Sequence, residues 1–198
     1  MEEEIVIIEK ISRKSVSTEE WEREWRHFLA GEEDDTGVTR SYARFRANIP
    51  SPDEDTYLCV HDDGSVCMDG KATQSNTIFQ VAHVFIPHTN YYQIICKGGR
   101  CNNYILYVDQ TNGERKLKAR PYNKEVDSLN RGLNRPTPTL FKFEEVCDTN
   151  VYITTLGDQS YHFTVDSAED GNNSTSSRVI LRESPPVDIS FELTVIKM

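Results

Sequence analysis

Cysteine and histidine are the side chains in this sequence that could bind a metal or form a covalent bond. Cys96 and Cys101 flank a short glycine-containing segment, so a turn there would let them form a disulfide, although buried thiols are the interpretation we favour. His83 and His88 also lie close together, but solvent-exposed loop histidines are commoner than a metal-binding pair. The cysteines are scattered, and none has the close spacing of a zinc-binding pair: Cys59, Cys67, Cys96, Cys101 and Cys147. We expect no metal and no cofactor.

The motifs of the common enzyme classes are missing from the sequence. It contains no Gly-x-Ser-x-Gly nucleophile turn, no phosphate-binding P-loop and no dinucleotide-binding Gly-x-Gly-x-x-Gly. The adjacent carboxylates Glu144 and Glu145 lie in a β-type run, where neighbouring side chains point to opposite faces and reach solvent. We therefore expect a protein that binds a partner and is not an enzyme.

The charge balance excludes several kinds of partner. The 198 residues hold 32 Asp or Glu and 22 Lys or Arg, which gives a net charge of -10. Such a chain does not suit a nucleic-acid binder, which neutralises phosphates, or a polybasic membrane surface. No apolar run approaches the ~20 residues that cross a bilayer, and the acidic start lacks the regions of a secretory signal. We expect no nucleic acid and no membrane insertion.

The first quarter of the chain differs from the rest. Residues 1–55 hold 15 acidic and 8 basic side chains. Thr18 is a capping residue, and the apolar side chains after it recur at helical spacing, which predicts a short helix at about 18–30. Residues 38–55 show little periodicity and end in a proline- and acid-rich segment that is typical of a linker. We therefore predict an acidic, pro-region-like leader over 1–55, partly helical or disordered, and a folded domain over 56–198.

From Thr56 onward, short β-type runs alternate with turn residues. The segment Asp62-Asp63-Gly64 between two such runs is a strong hairpin signal. About twelve strands are predicted at spacings typical of an all-β sandwich or barrel. A weak threefold echo favours a β-trefoil, because segments of roughly 50 residues end near Phe85, Phe141 and Phe191. The pattern alone leaves the trefoil and the sandwich equally open.

Taken in order, the segments of residues 56–198 resemble the interleukin-1 cytokine family. The resemblance rests on an opening hairpin at residues 57–70 and on central strands at 94–96, 104–108 and 115–119. A long charged loop at 121–139 and a Phe-x-Phe strand at 140–144 follow them. The fibroblast growth factors share the trefoil, but this domain has 17 acidic and 14 basic side chains, which gives little support for a heparin groove. Ricin-type lectins need Gln-x-Trp motifs, and both tryptophans lie before residue 56.

The resemblance implies an all-β, β-trefoil cytokine that is monomeric and binds a cell-surface receptor with immunoglobulin-like domains and its co-receptor. It also implies a cytoplasmic precursor that becomes extracellular by non-classical release. The loop 121–139 corresponds by position to a basic receptor-contacting loop of the family. A second basic cluster precedes it, in which alternation places Lys116 and Lys118 on one face and Leu117 inward. The candidate receptor-binding residues are Arg115, Lys116, Lys118, Lys124, Arg131 and Arg135.

The leader suggests regulation by proteolysis. The resemblance suggests an inflammatory caspase, which cuts exposed chain after Asp, and Asp35 and Asp55 are the candidate processing sites in acidic segments. We hypothesise that the leader lowers receptor binding, either sterically or by placing its charge beside the basic loop. The alternative belongs to another class: an intracellular β-trefoil interaction module, or a protease inhibitor that acts through its loops.

Overall fold

The computed structural model describes residues 6–7, 38–48, 56–86, 89–128, 138–147, 150–156, 159–170, 174–183 and 190–197. This part of the chain is almost entirely β-strand, which confirms the predicted all-β class. Its one α-helix has a single turn, α1 (Lys124–Asp127), and none of its helices is long and apolar enough to cross a membrane. The helix predicted at about 18–30 lies outside the described residues.

Thirteen strands form one antiparallel sheet within the described residues. They are β1 (Val6–Ile7), β2 (Val38–Ala47), β3 (Tyr57–Val60), β4 (Val66–Gly70), β5 (Phe79–Ile86), β6 (Thr89–Cys96), β7 (Tyr104–Asp109), β8 (Lys116–Pro121), β9 (Phe141–Cys147), β10 (Asn150–Thr155), β11 (His162–Asp170), β12 (Ser174–Arg182) and β13 (Phe191–Lys197).

Six of the strands close into a ring. β2 pairs with β5, β5 with β6, β6 with β9, β9 with β10, β10 with β13, and β13 returns to β2. The closing ladder runs from Phe191 opposite Ala47 to Ile196 opposite Tyr42. Each ring strand therefore has a hydrogen-bonded neighbour on both sides, which is how a barrel removes exposed sheet edges.

The remaining long strands form three hairpins, β3–β4, β7–β8 and β11–β12. Each hairpin pairs with the ring strand that precedes it in the chain. The hairpins also meet one another: Cys67 of β4 lies opposite Arg178 of β12, and Ser65 forms a bridge with Lys118 of β8. The described strands thus repeat one arrangement three times, as β2–β5, β6–β9 and β10–β13.

Phenylalanine marks the same place in each repeat. The fourth strands begin with Phe79, Phe141 and Phe191, and all three side chains are 0% exposed. Phe163 joins two of the repeats, since it packs edge-to-face on Phe141 at 5.3 Å and on Phe191 at 6.3 Å between ring centroids. The sequence-based echo is correct for the second and third repeats, whereas Phe79 and not Phe85 is the corresponding residue of the first.

The conformation of the β3–β4 turn requires a glycine at residue 64. Gly64 has φ +81, and its carbonyl oxygen accepts a hydrogen bond of 2.8 Å from the Ala119 amide. A Cβ atom at Gly64 would lie 2.6 Å from the Ala119 carbonyl oxygen. The predicted hairpin is confirmed, and its turn is shaped for close contact with β8.

The predicted domain boundary after residue 55 is wrong. β2 lies before it, yet Ala43 and Phe45 are 0% exposed and β2 pairs with both β13 and β5. The arginines that alternate with these residues hide the strand pattern; Arg44 is itself buried, and its Nε donates 3.1 Å to Thr77 Oγ1. β1 also belongs to the sheet, with Val6 opposite Lys197. The folded unit therefore includes residues that the charge pattern assigned to a leader.

Candidate protein-binding surface

The base of the basic loop 121–139 is fastened to the outside of the ring. α1 begins after Asn123, whose side-chain oxygen accepts 2.9 Å from the Glu125 amide. Asp127 is buried, and its carboxylate accepts two hydrogen bonds from the Arg120 guanidinium, at 2.7 and 2.8 Å. Its backbone carbonyl accepts 2.7 Å from the buried Gln93 amide of β6. These contacts fix where the loop leaves the ring.

A basic cleft lies beside this base, with a volume of about 240 Å³. Outward-facing residues of β2, β5 and β6 form its floor, and Asn103, Tyr122 and Ser128 complete its lining. Arg40 and Lys97 contribute two positive charges, and no acidic residue is among the described side chains that line it. Burial first, and the charge of Arg40 second, lower the pKa of Lys97.

The chemistry of the cleft suits an anionic group. Lys97 Nζ donates 2.6 Å to Asn103 Oδ1 at the edge of the cleft, which holds the ammonium in place. A carboxylate brought by a partner would meet the Lys97 ammonium in a partly desolvated recess that Arg40 also lines, and charge-assisted hydrogen bonds are strong there. The lining of the cleft therefore suits an acidic side chain better than an apolar ligand.

The structure separates the predicted receptor-binding residues into two places. Lys124 is exposed on α1, whose flanking residues Tyr122 and Ser128 line the cleft. Arg131 and Arg135 lie outside the described residues. Arg40 and Lys97 were missed by the sequence analysis, because they meet only when three strands and the base of the loop come together.

The other predicted basic residues lie near the β7–β8 hairpin. Leu117 is buried between Lys116 and Lys118, as the alternation predicts. Lys116 pairs with Glu114 at 2.7 Å and Lys118 pairs with Asp109 at 2.6 Å, so part of their charge is neutralised within the chain.

Arg115 forms a separate contact surface with the third repeat. Its guanidinium lies 4.0 Å from the centre of the Tyr161 ring and 3.4 Å from Gln159 Oε1. The Tyr161 hydroxyl donates 2.7 Å to Gln159 Oε1. Arginine and tyrosine are the residue types that most often dominate protein interfaces, which makes this pair a second candidate contact.

The candidate processing sites lie outside the described residues, on either side of β2. A cut after Asp35 precedes β2 and leaves the ring whole. A cut after Asp55 falls between β2 and β3 and would sever a ring strand from the rest of the domain. Asp35 is therefore the processing candidate that is compatible with the closed ring.

Four cysteines are described, and all are buried thiols: Cys59, Cys67, Cys96 and Cys101. The disulfide considered between Cys96 and Cys101 is absent, and the Cys101 thiol donates 3.1 Å to the His61 carbonyl oxygen. Burial and the adjacent carboxylate of Asp69 raise the pKa of the Cys59 thiol. Cys59, His61 and Asp69 form the group of described residues that could hold a metal ion, with donor atoms within 4.8 Å of one another.

The fold is similar to that of a solved structure, whereas comparisons of the sequence find no match. No protein-family model and no curated protein matches the chain. Among solved structures, a Caenorhabditis elegans protein of unknown function has a similar fold, with a TM-score of 0.56 and 10% identity. The match covers 83% of this chain and 98% of that chain. At this identity the likeness concerns the fold alone.

Proposed function

We propose that this chain is a β-trefoil protein that binds its target through surface loops and performs no chemistry. Three features support this fold: the closed six-stranded ring, the three hairpins that meet one another, and the four strands of each repeat. A rigid ring that carries long loops is a common basis for recognition of another protein. The fastened base of the loop 121–139 supplies such rigidity directly after the basic segment 115–120.

The target that we propose is a cell-surface receptor with immunoglobulin-like domains, together with its co-receptor. The resemblance to the interleukin-1 family in residues 56–198 suggests this class of partner. The observation that carries the proposal is the cleft beside the loop base. Asn103 holds the Lys97 ammonium there, and Tyr122 and Ser128 of the lining lie on either side of α1, the helix that carries exposed Lys124. The protein would act as a monomer, made as a cytoplasmic precursor and released by a non-classical route.

Regulation by the leader is part of the same proposal. A caspase or a similar protease would cut after Asp35, because that cut leaves β2 in the ring. Removal of the acidic residues would then free the basic cleft for its receptor. Chains that begin at Met1 and at Thr36 should therefore differ in receptor affinity, and equal affinity would reject a regulatory leader.

A second candidate is an intracellular interaction module or a protease inhibitor of the same fold. The four buried thiols favour it, because disulfides are common in secreted proteins and rare in reducing compartments. Such a protein would use the same loops without a receptor.

A pull-down with a panel of interleukin-1-type receptor ectodomains separates the two candidates. We expect the chain to capture at least one ectodomain, and Lys97→Glu to weaken capture at least about fivefold, the effect of losing ~1 kcal/mol at an important contact. Lys71→Glu is the matched control, since Lys71 is exposed and does not line the cleft. Capture of no ectodomain by either the full chain or the chain from Thr36 would refute the receptor proposal.

A further inference from the structure

One face of the β3–β4 hairpin gathers four side chains that can ligate a metal. Leu58 and Val60 of β3, and Val66 and Met68 of β4, point into the core. Because side chains alternate along a strand, the residues between and beyond them share the opposite face. Those residues are Cys59 on β3, His61 directly after it, and Cys67 and Asp69 on β4.

The pairing of the two strands brings these residues together. Cys59 lies directly opposite Cys67 in the ladder. Directly opposite residues have Cβ atoms about 4.5–5.5 Å apart, so the two cysteines are neighbours across the hairpin. The Cys67 thiol is directed at Ser65 Oγ and is not among the three donor atoms that lie within 4.8 Å of one another. His61 and Asp69 lie at the two ends of this pair, and the hairpin turn holds all four in one patch.

Three donor atoms already converge on one point. Cys59 Sγ lies 2.9 Å from Asp69 Oδ1, and His61 Nε2 lies 2.9 Å from the same oxygen. All three donor atoms lie within 4.8 Å of one another. A thiol and an imidazole nitrogen therefore lie against one carboxylate oxygen. A single cation can take this place when the thiol has lost its proton and the neutral imidazole carries its proton on Nδ1.

The two cysteines of this patch are buried, whereas its histidine and aspartate reach solvent. Cys59 is 1% exposed and Cys67 is 7% exposed, whereas the side chains of His61 and Asp69 are 43% and 34% exposed. An ion can therefore enter between the imidazole and the carboxylate and reach the thiols beneath.

The donor chemistry selects the ion. Thiolate and imidazole are the usual ligands of Zn²⁺, whereas Ca²⁺ and Mg²⁺ prefer oxygen. Two thiolates and one carboxylate carry three negative charges. A divalent ion and the guanidinium of Arg178, which lies opposite Cys67 on β12, balance them.

We propose that Cys59, His61, Cys67 and Asp69 bind one Zn²⁺ ion in a closed four-coordinate site. Cys67 now lies 4.0 Å from Ser65 Oγ, and it would turn toward Cys59 to complete the set. With four protein ligands the site has no open position, so the ion fastens β3 to β4 and supports no catalysis. This proposal does not depend on the receptor proposal, and it runs against the absence of metal expected from the cysteine spacing.

Titration of the reduced, metal-free full chain with Co²⁺ and Zn²⁺ tests the site. We expect one equivalent of Co²⁺ to produce a thiolate-to-cobalt charge-transfer absorption, which Zn²⁺ abolishes by displacement. Zn²⁺ should also raise the thermal unfolding temperature, because an ion that binds only the folded state stabilises it, whereas Mg²⁺ should not.

Matched variants assign the ligands. Cys59→Ser, Cys67→Ser and Asp69→Asn should each weaken Zn²⁺ binding by more than the roughly 10–100-fold that loss of an outer-shell partner costs. Cys96→Ser, another buried strand thiol, and Asp62→Asn, a carboxylate in the turn of the same hairpin, should bind as the unchanged chain does. Asp69→Asn alters a partly exposed residue, so it keeps the test valid if the loss of a buried thiol prevents folding.

Two results would overturn a metal site at this hairpin, and a third would overturn its four-ligand form. One is the absence of a charge-transfer band in the unchanged, folded chain. The other is Zn²⁺ affinity that Cys59→Ser and Asp69→Asn leave unaltered. Unaltered affinity in Cys67→Ser alone would remove Cys67 from the ligand set and contradict the closed four-coordinate site.

Discussion

Asp127 is the single residue on which the position of the basic loop most depends. Its carboxylate is buried and accepts from the Arg120 guanidinium and, at 2.8 Å, from the Asn123 amide. The Arg120 side chain is 32% exposed, so water screens one partner only. A buried carboxylate with this many donors specifies one geometry for the start of the loop.

Asp127→Asn should destabilise the chain, because an amide cannot accept both guanidinium hydrogen bonds. We expect a loss of about 1.5–3 kcal/mol in the free energy of unfolding, the range for hydrogen bonds to charged groups. Urea denaturation measures it, with Glu125→Gln on the exposed face of α1 as the control. Equal stability of the two variants would show that the pair does not anchor the loop.

Asp109 should titrate unusually low. The hydrogen bond from Lys118, followed by that from Thr111, lowers the pKa of Asp109 to about 2. Because this pKa lies below the unfolded value of about 3.9, its contribution to stability is present above pH 4 and is lost as the pH falls through about 2. In an NMR titration, Lys118→Met should move the Asp109 midpoint up toward the unfolded value. An unmoved midpoint would contradict the assigned cause.

Single-residue predictions from the sequence succeeded where local geometry decides them. Alternation along one strand placed Leu117 inward, and the Asp-Gly turn located the β3–β4 hairpin. The same turn fixes the register of Cys59 and Cys67, so their pairing was within reach of the sequence once the hairpin was assumed. The meeting of Arg40 with Lys97 was not, because it depends on contacts between residues far apart in the chain.

β2 is the strand that the sequence pattern does not predict. Its residues in the hydrophobic core are two alanines and one phenylalanine, and three arginines alternate with them, so a strand that is paired on both edges resembles a polar linker. Twelve strands were nevertheless predicted, because residues 78–81 and 84–86 were counted as two strands and form the single strand β5. Burial of β2 is decided by its partners β5 and β13, which the local sequence does not contain.

Removal of β2 should abolish folding, whereas removal of the residues before it should not. A chain that begins at Thr36 keeps the whole ring and, of the described strands, loses the two-residue β1. We expect it to show a cooperative thermal transition and a near-ultraviolet circular dichroism spectrum like that of the full chain. A chain that begins at Thr56 loses Phe45 and exposes one edge each of β5 and β13. Cooperative unfolding of the chain from Thr56 would show that residues 56–198 fold without β2, as the sequence predicts.

Gly64 and Gly113 allow the energetic cost of backbone strain to be distinguished from the cost of steric contact. Gly64 and Gly113 both have positive φ, at 81° and 79°, but only Gly64 has an atom close to the position of a Cβ. Gly113→Ala should cost about 1–2 kcal/mol for the left-handed conformation alone. Gly64→Ala should cost more, because β8 must also move, and equal unfolding free energies for the two variants would show that β8 does not pack tightly on this turn.

At the scale of the whole molecule, closure of the ring turns three similar segments into one rigid body. Phe79, Phe141 and Phe191 occupy the same place in their repeats, although only two of them follow the spacing that the sequence echo suggested. The hairpins join the repeats through the contact of β4 with β12 and the bridge to β8. Binding surfaces on such a body are preorganised, so an interface with its partner needs little rearrangement of the ring.

The most direct test of the proposed function is the affinity of the purified full chain, and of the chain from Thr36, for immobilised interleukin-1-type receptor ectodomains by surface plasmon resonance. We predict saturable binding to at least one ectodomain, tighter for the chain from Thr36. We also predict an association rate that falls with added salt and with Lys97→Glu, since charge at an interface mainly steers encounter. No saturable binding of either chain to any ectodomain would contradict the receptor function.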